Sequence, residues 1–158
     1  MRLKNFLIVV KDIERSKAFY RDLFGLQVTA DFGGNVMLTG GLVLQEQKIW
    51  ESFIQRPVTF KNYDAELYFE ENDMDGFLQR LHDYECPTEY VNELMEHSWG
   101  QRVIRICDPD GHMIEVGESL DFVARRFLES GMSVEETAEK TQLPVDTVKQ
   151  IDRCRKED

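Results

Sequence analysis

The chain reads as an α+β protein made of two βαβββ modules in tandem followed by a C-terminal helical extension. Three observations predict this. Short β-rich runs and helical stripes alternate in an order that occurs twice, glycine-rich turns separate the runs of the first half, and beyond residue 118 the pattern is helical throughout.

Leu3 to Val10 is a short β-rich run. Asp12 then stands at a helix N-cap position, ahead of Ile13, Ala18, Phe19, Leu23 and Phe24 at helical spacing up to Gly25. Leu26 to Ala30, Val36 to Thr39 and Leu42 to Glu46 follow as three short strands, with Gly33-Gly34-Asn35 and Gly40-Gly41 supplying the turns between them. The first module, about residues 1–47, is therefore βαβββ.

From Gln47 to Tyr63 the chain is a connector with a short helix around Ile49 to Ile54 before Pro57. The order then recurs over about 64–118. A strand through Glu70 precedes a helix started by Asp73 and carrying Met74, Phe77, Leu78 and Leu81; runs near Glu89 to Leu94, Arg102 to Cys107 and His112 to Gly117 follow. A shift of 61 residues superposes Asn5 on Glu66 and Asp12 on Asp73, and a shift of 70 superposes Gly41 on Gly111 and Gln45 on Glu115. The longer loops of the second half account for the difference.

Residues 107 to 118, Cys-Asp-Pro-Asp-Gly-His-Met-Ile-Glu-Val-Gly-Glu, join a tight turn to a strand that carries a carboxylate. Pro109 presets the turn, Asp108 and Asp110 can bond the local backbone, and Gly111 can take the positive φ that ends it. Alternation puts His112, Ile114 and Val116 on one face and Met113, Glu115 and Gly117 on the other, so Glu115 points away from the apolar face. From this motif alone two readings stand level, a solvated strand face and a cavity wall.

With 158 residues and 42% apolar content, the chain has material for one domain of about 1–118 plus an appendage at 119–158. Its net charge of -11 excludes a general affinity for nucleic acid or anionic membranes and favours neutral or cationic small partners. Cys86, Cys107 and Cys154 are an odd number without Cys-x-x-Cys spacing, which predicts free thiols in a reducing compartment. The apolar run Phe6 to Val10 is too short for a signal peptide or a membrane span, so a cytoplasmic location is expected.

The two βαβββ halves resemble the vicinal oxygen chelate superfamily. So do Val-Lys-Asp-Ile-Glu-Arg-Ser-Lys-Ala-Phe-Tyr-Arg-Asp-Leu-Phe-Gly-Leu (10 to 26), the Trp99-Gly100 pair and Asp-Pro-Asp-Gly-His-Met-Ile-Glu. That group contains glyoxalase I, bleomycin-resistance proteins, fosfomycin-modifying enzymes and extradiol dioxygenases. The resemblance covers residues 1 to about 118 and implies a curved mixed sheet around a cavity. Metal-using members take up to four ligands from the first and fourth strands of each half, which correspond here to Asn5, Gln45, Glu66 and Glu115. The internal repeat pairs the same four residues.

None of the four is a histidine. Two carboxylates and two amides suit a weakly held Mg²⁺ or Mn²⁺ and suit Zn²⁺, Ni²⁺ or Fe²⁺ badly, so no tightly bound cofactor is expected. Without a metal, facing carboxylates repel. One of them could then hold a proton and act as general acid or base, which makes Glu115 and Glu66 the candidate catalytic pair, or both could meet a cationic ligand. Leu7, Val43, Tyr68 and Met113 share those strand faces and complete the candidate ligand cavity, with Tyr68 as a stacking or hydrogen-bonding contact.

Other residues read as structural. His112 is a turn or packing histidine, Cys107 a buried thiol, Trp50 and Trp99 packing residues, and Arg102 and Arg105 partners of surface ion pairs, only one of which can reach the cavity.

The extension begins with Leu120, Val123, Ala124 and Phe127 on one helical stripe. It continues with a Ser133/Glu136 capping box and a last helix after Pro144 carrying Val145, Val148 and Ile151. Residues 132 to 149 have a helix-turn-helix pattern, yet acids outnumber bases nine to seven over 119–158, which argues against contact with phosphates. The leading expectation is a homodimeric small-molecule-binding protein of the glyoxalase/bleomycin-resistance type, without a tightly bound transition metal. A divalent-metal-dependent isomerase or lyase of glyoxalase type is the alternative, and a ligand-responsive regulator reading DNA through its tail is a further one.

Overall fold

The computed structural model describes residues 1–61 and 63–157; Asn62 of the connector and Asp158 at the end of the tail lie outside the described residues. The elements run β1 (Phe6–Val10), α1 (Ile13–Phe24), β2 (Val28–Asp31), β3 (Asn35–Leu38), β4 (Leu42–Glu46) and α2 (Gln47–Ile54). They continue with β5 (Glu66–Glu70), α3 (Met74–Asp83), β6 (Tyr90–Glu96), β7 (Arg102–Cys107) and β8 (Met113–Gly117). The tail is α4 (Leu120–Glu129), α5 (Val134–Thr141) and α6 (Val145–Glu157). Two four-stranded mixed sheets have the orders β1-β4-β3-β2 and β5-β8-β7-β6. The α+β class and the repeated βαβββ order are those the sequence predicts.

In the first sheet β1 runs parallel to β4 from Phe6 opposite Leu42 to Val10 opposite Glu46, while β3 is antiparallel to both β2 and β4. Only an intervening crossover permits such a parallel pair, and α1 begins it. Asp12 caps that helix by accepting from the Arg15 N–H at 3.0 Å. Gly25 ends it in the left-handed region at φ 67°, its N–H donating to the Arg21 carbonyl at 3.0 Å. The stripe Phe19, Tyr20 and Leu23 is buried, worth about 1.5–3 kcal/mol for each side chain wholly removed from water.

Element ends differ from the sequence reading in places. β1 starts at Phe6 rather than Leu3, because Leu3 is exposed and pairing with β4 begins at Phe6. β3 stops at Leu38, since Thr39 opens a 3-10 turn through Gly40 at φ 76°.

The chain divides into two compact units. The first comprises Met1–Leu67, Arg80–Tyr90 and Ile106–Ile114, with Val10, Phe19, Tyr20, Val36, Leu44 and Ile106 among its buried side chains. The second comprises Tyr68–Gln79, Val91–Arg105 and Glu115–Asp158. Within it, the tail helices enclose a cluster of Ala124, Leu128, Ala138, Val148 and Ile151, against which Val134 and Leu143 pack. Ser119 caps α4, the Ser133/Glu136 capping box is formed, and Gln142 closes α5 in the left-handed region. Among the described residues, no helix is long and apolar enough to cross a membrane.

Candidate functional site

The first unit holds a pocket of about 230 Å³. Its walls are β1 residues from Phe6 to Val9, the connector residues Val58, Phe60, Lys61 and Tyr63, Glu66 at the start of β5, the turn residues Gly111 and His112, and Met113 at the start of β8. β1 is an edge strand of its sheet, so one flank is left for the connector to cover.

The turn is fixed by two enclosed carboxylates. Asp110 accepts from the Lys11 N–H at 3.0 Å and from the Arg15 guanidinium at 2.7 Å, which ties the turn to the start of α1. Asp108 accepts from the Tyr20 hydroxyl at 2.9 Å and from the backbone N–H groups of Asp110 and His112, each at 2.9 Å; its Oδ2 also lies 2.8 Å from His112 Nδ1. Burial alone would raise the Asp108 carboxyl, but the hydrogen bonds and charge of His112 and the bond from Tyr20 bring it below its usual range. Burial first, then the charge of Asp108, pushes the Tyr20 hydroxyl well above its usual value. Phe60 meets the His112 ring edge-on, with centroids 6.0 Å apart, and carries the Lys11 ammonium over its face at 4.4 Å.

The residues singled out in the sequence fall in different places. Leu7, Glu66 and Met113 line this pocket. Asn5 is exposed just ahead of β1. Val43 and Gln45 are buried, 4% and 3% exposed, and are not part of the pocket wall. Gln45 spends its amide on the sheet, since its Oε1 accepts from Asn35 Nδ2 and its Nε2 donates to the Gly34 carbonyl, both at 2.8 Å.

Tyr68 and Glu115 belong to the second unit. The Tyr68 hydroxyl accepts from Gln101 Nε2 at 3.1 Å and is raised above its usual range, chiefly by burial. Glu115 is 9% exposed and ion-paired with Arg105, so the solvated-face reading is corrected. Arg102 pairs both with the fully enclosed Glu118 at 2.8 Å and with the exposed Asp75 at 3.5 Å, so it keeps the surface partner expected and adds a buried one, whereas the Arg105 partner is enclosed. An alternating pattern shows which way a side chain points but not what its neighbouring strand brings opposite it. Cys107 is buried, as expected, with its thiol raised mainly by that burial, and Trp99 stacks on His97 while donating to Gln101 at 3.0 Å.

Sequence reasoning missed Val58, Phe60, Lys61 and Tyr63 as pocket walls, because the connector has no periodic pattern to read. It also passed over His112, although a histidine four residues after an aspartate inside a turn is a local signal.

The Glyoxalase-like domain family matches residues 3–121. The chain belongs to this family, within the vicinal oxygen chelate superfamily. Among solved structures, the glyoxalase-like chain is 39% identical to a protein of unknown function from Agrobacterium tumefaciens (TM-score 0.65), with 75% of this chain and 94% of that one covered. A lactoylglutathione lyase from Agrobacterium tumefaciens is 24% identical (TM-score 0.57), with 75% and 93% covered. A glyoxalase-related enzyme from Fulvimarina pelagi is 17% identical (TM-score 0.63), with 75% and 88% covered. These last two likenesses speak for the fold. No curated protein matches.

The family's metal positions in this glyoxalase-like protein do not suit a resident transition metal. Gln45 has both ends of its amide engaged in the sheet, Glu115 is neutralised by Arg105, and no imidazole stands at any of the four positions. Among the described residues, no group of three or more His, Cys, Asp or Glu is placed to hold a metal ion.

Proposed function

We propose that this protein binds a small, largely apolar molecule in the pocket of its first unit, without a tightly bound transition metal. The observation that carries this reading is the pocket itself. Phe6, Leu7, Val58, Phe60 and Met113 supply apolar wall, while Lys61, Glu66 and His112 bring a few polar groups to the same 230 Å³. Apolar walls with few convergent polar groups are the common build of small-molecule sites. The engagement of Gln45 and Glu115 within the protein supports the metal-free part of the reading. A homodimer belongs to the same proposal, supported by Tyr90, Leu94 and Met95 of β6, which are large, apolar and exposed.

The test uses the full chain with ¹³C-methyl methionine. Adding indole or 4-nitrophenol should shift the Met113 methyl signal, and Leu7→Trp, which fills the pocket, should remove the shift. Saturable binding that leaves the Met113 signal in place, or that survives Leu7→Trp, would locate the site elsewhere. Light scattering checks the dimer, and a monomer at tens of micromolar would refute that part.

A further inference from the structure

We propose that His112 is the proton-accepting group of the first unit's pocket and that Asp108 positions it for that role. The inference rests on the reading of this pocket as a ligand site. The Asp108 side chain is fully enclosed and held below its usual titration range, so it is ionised and can only accept hydrogen bonds. At 2.8 Å from its Oδ2, the His112 ring must therefore donate from Nδ1. Whenever the ring is neutral, Nε2 then carries a lone pair.

The two residues stand differently toward the pocket. His112 lines it beside Phe60, whereas Asp108 does not. A turn needs only the Asp108 bonds to the backbone N–H groups of Asp110 and His112, and these would persist with any side chain at 112. The contact to Nδ1 does something further, because it fixes the tautomer and orientation of an imidazole whose other nitrogen is the acceptor. Tyr20 secures the carboxylate from behind at 2.9 Å and, with its hydroxyl raised by burial, remains a donor. A buried carboxylate, an imidazole and an apolar pocket in series are what proton transfer to an imidazole requires.

The ligand this implies has a largely apolar body and one weakly acidic O–H or N–H. On transfer, that bond breaks, Nε2 gains the proton, and the electron pair stays on the ligand's oxygen or nitrogen. Asp108 balances the positive charge taken up by the ring. His112 is the group that meets the ligand, and Asp108 acts through it.

4-Nitrophenol is the probe, because its colour reports whether its proton has left. At a pH where the free probe is protonated, the full chain should bind it in the ionised form. His112→Gln should weaken binding about tenfold and return any bound probe to the neutral spectrum. Equal affinity and colour in His112→Gln, or a bound probe that keeps its proton in the unaltered chain, overturns the proposal while the pocket reading stands. Absence of binding, with the Met113 methyl unmoved, removes both. Independently of any ligand, ¹⁵N spectra of the histidine-labelled chain should show His112 with a proton on Nδ1 and a bare Nε2. Asp108→Asn should abolish that preference; if this variant does not fold, the spectrum of the unaltered chain decides alone. The opposite tautomer overturns the assignment.

Discussion

The wholly enclosed carboxylate of Glu118 accepts from the Arg126 guanidinium of α4 at 3.0 Å and, through its other oxygen, from Arg102 Nε of β7 at 2.8 Å. The Arg102 backbone N–H adds a third bond at 3.0 Å, and Arg126 also donates to the Gly100 carbonyl at 2.6 Å. One carboxylate thus fastens the first tail helix to the second sheet.

Removing one member of such a cluster leaves buried charge without its counterpart. Glu118→Gln should cost about 3 kcal/mol, which for a chain of this size lowers Tm by roughly 6–12 °C. Arg126→Met, which keeps much of the stem, should cost about 1–2 kcal/mol. The double variant should lose less than the two single losses combined, as measured by thermal unfolding; strict additivity would show that the pair is not coupled.

The Asp108 network makes stability depend on pH at both ends. Asp108 titrates below the usual aspartate value of 3.8 in the folded chain, so its contribution is complete above that value and is lost as pH falls through the lower folded value. Urea midpoints should therefore drop as pH falls below the usual aspartate value, and Asp108→Asn should be weaker at neutral pH yet flatter in acid. Tyr20 has the opposite sign. Its hydroxyl is raised well above 10.0, so its contribution is complete below that pH and lost as pH rises beyond it. In a spectrophotometric titration of the five tyrosines, Tyr20 should ionise only with unfolding, and Tyr20→Phe should remove that delayed step. A step that persists in Tyr20→Phe would assign it to another residue.

Local pattern and partnership were legible in the sequence to different degrees. Phe19 and Leu23 of the first helical stripe and the caps Asp12, Gly25 and Ser133 are local features, and the structure places each where the spacing puts it, while the buried Tyr20 lay outside the stripe as read. Glu115 shows the limit. Its side of β8 follows from alternation, but Arg105 as its partner depends on how β7 and β8 come together, which no period encodes. Gln45 is similar, since Asn35 stands opposite it only through the β3 and β4 register. The pocket was least legible, because part of its wall is connector without a periodic pattern.

Gln45 therefore behaves as a structural amide. Gln45→Leu should cost about 1–3 kcal/mol, because Asn35 and the Gly34 carbonyl each lose a buried partner. Probe binding should be unchanged, since Gln45 is not part of the pocket wall. Denaturant unfolding checks the first statement and Met113 methyl shifts the second; a stable variant that no longer binds the probe would restore Gln45 as a site residue.

Glu115 separates site from scaffold most sharply, because the family likeness points to it as a ligand position while its own surroundings pair it with Arg105. In Glu115→Gln the guanidinium, only 22% exposed, keeps its charge and loses its counterion. The expected loss is about 1–3 kcal/mol by denaturant unfolding, and Glu115→Gln with Arg105→Gln should recover part of it, since two neutral amides can bond each other. Probe binding at the first unit's pocket should survive both changes. Binding abolished at full stability would return Glu115 to the site and displace the metal-free reading of this protein.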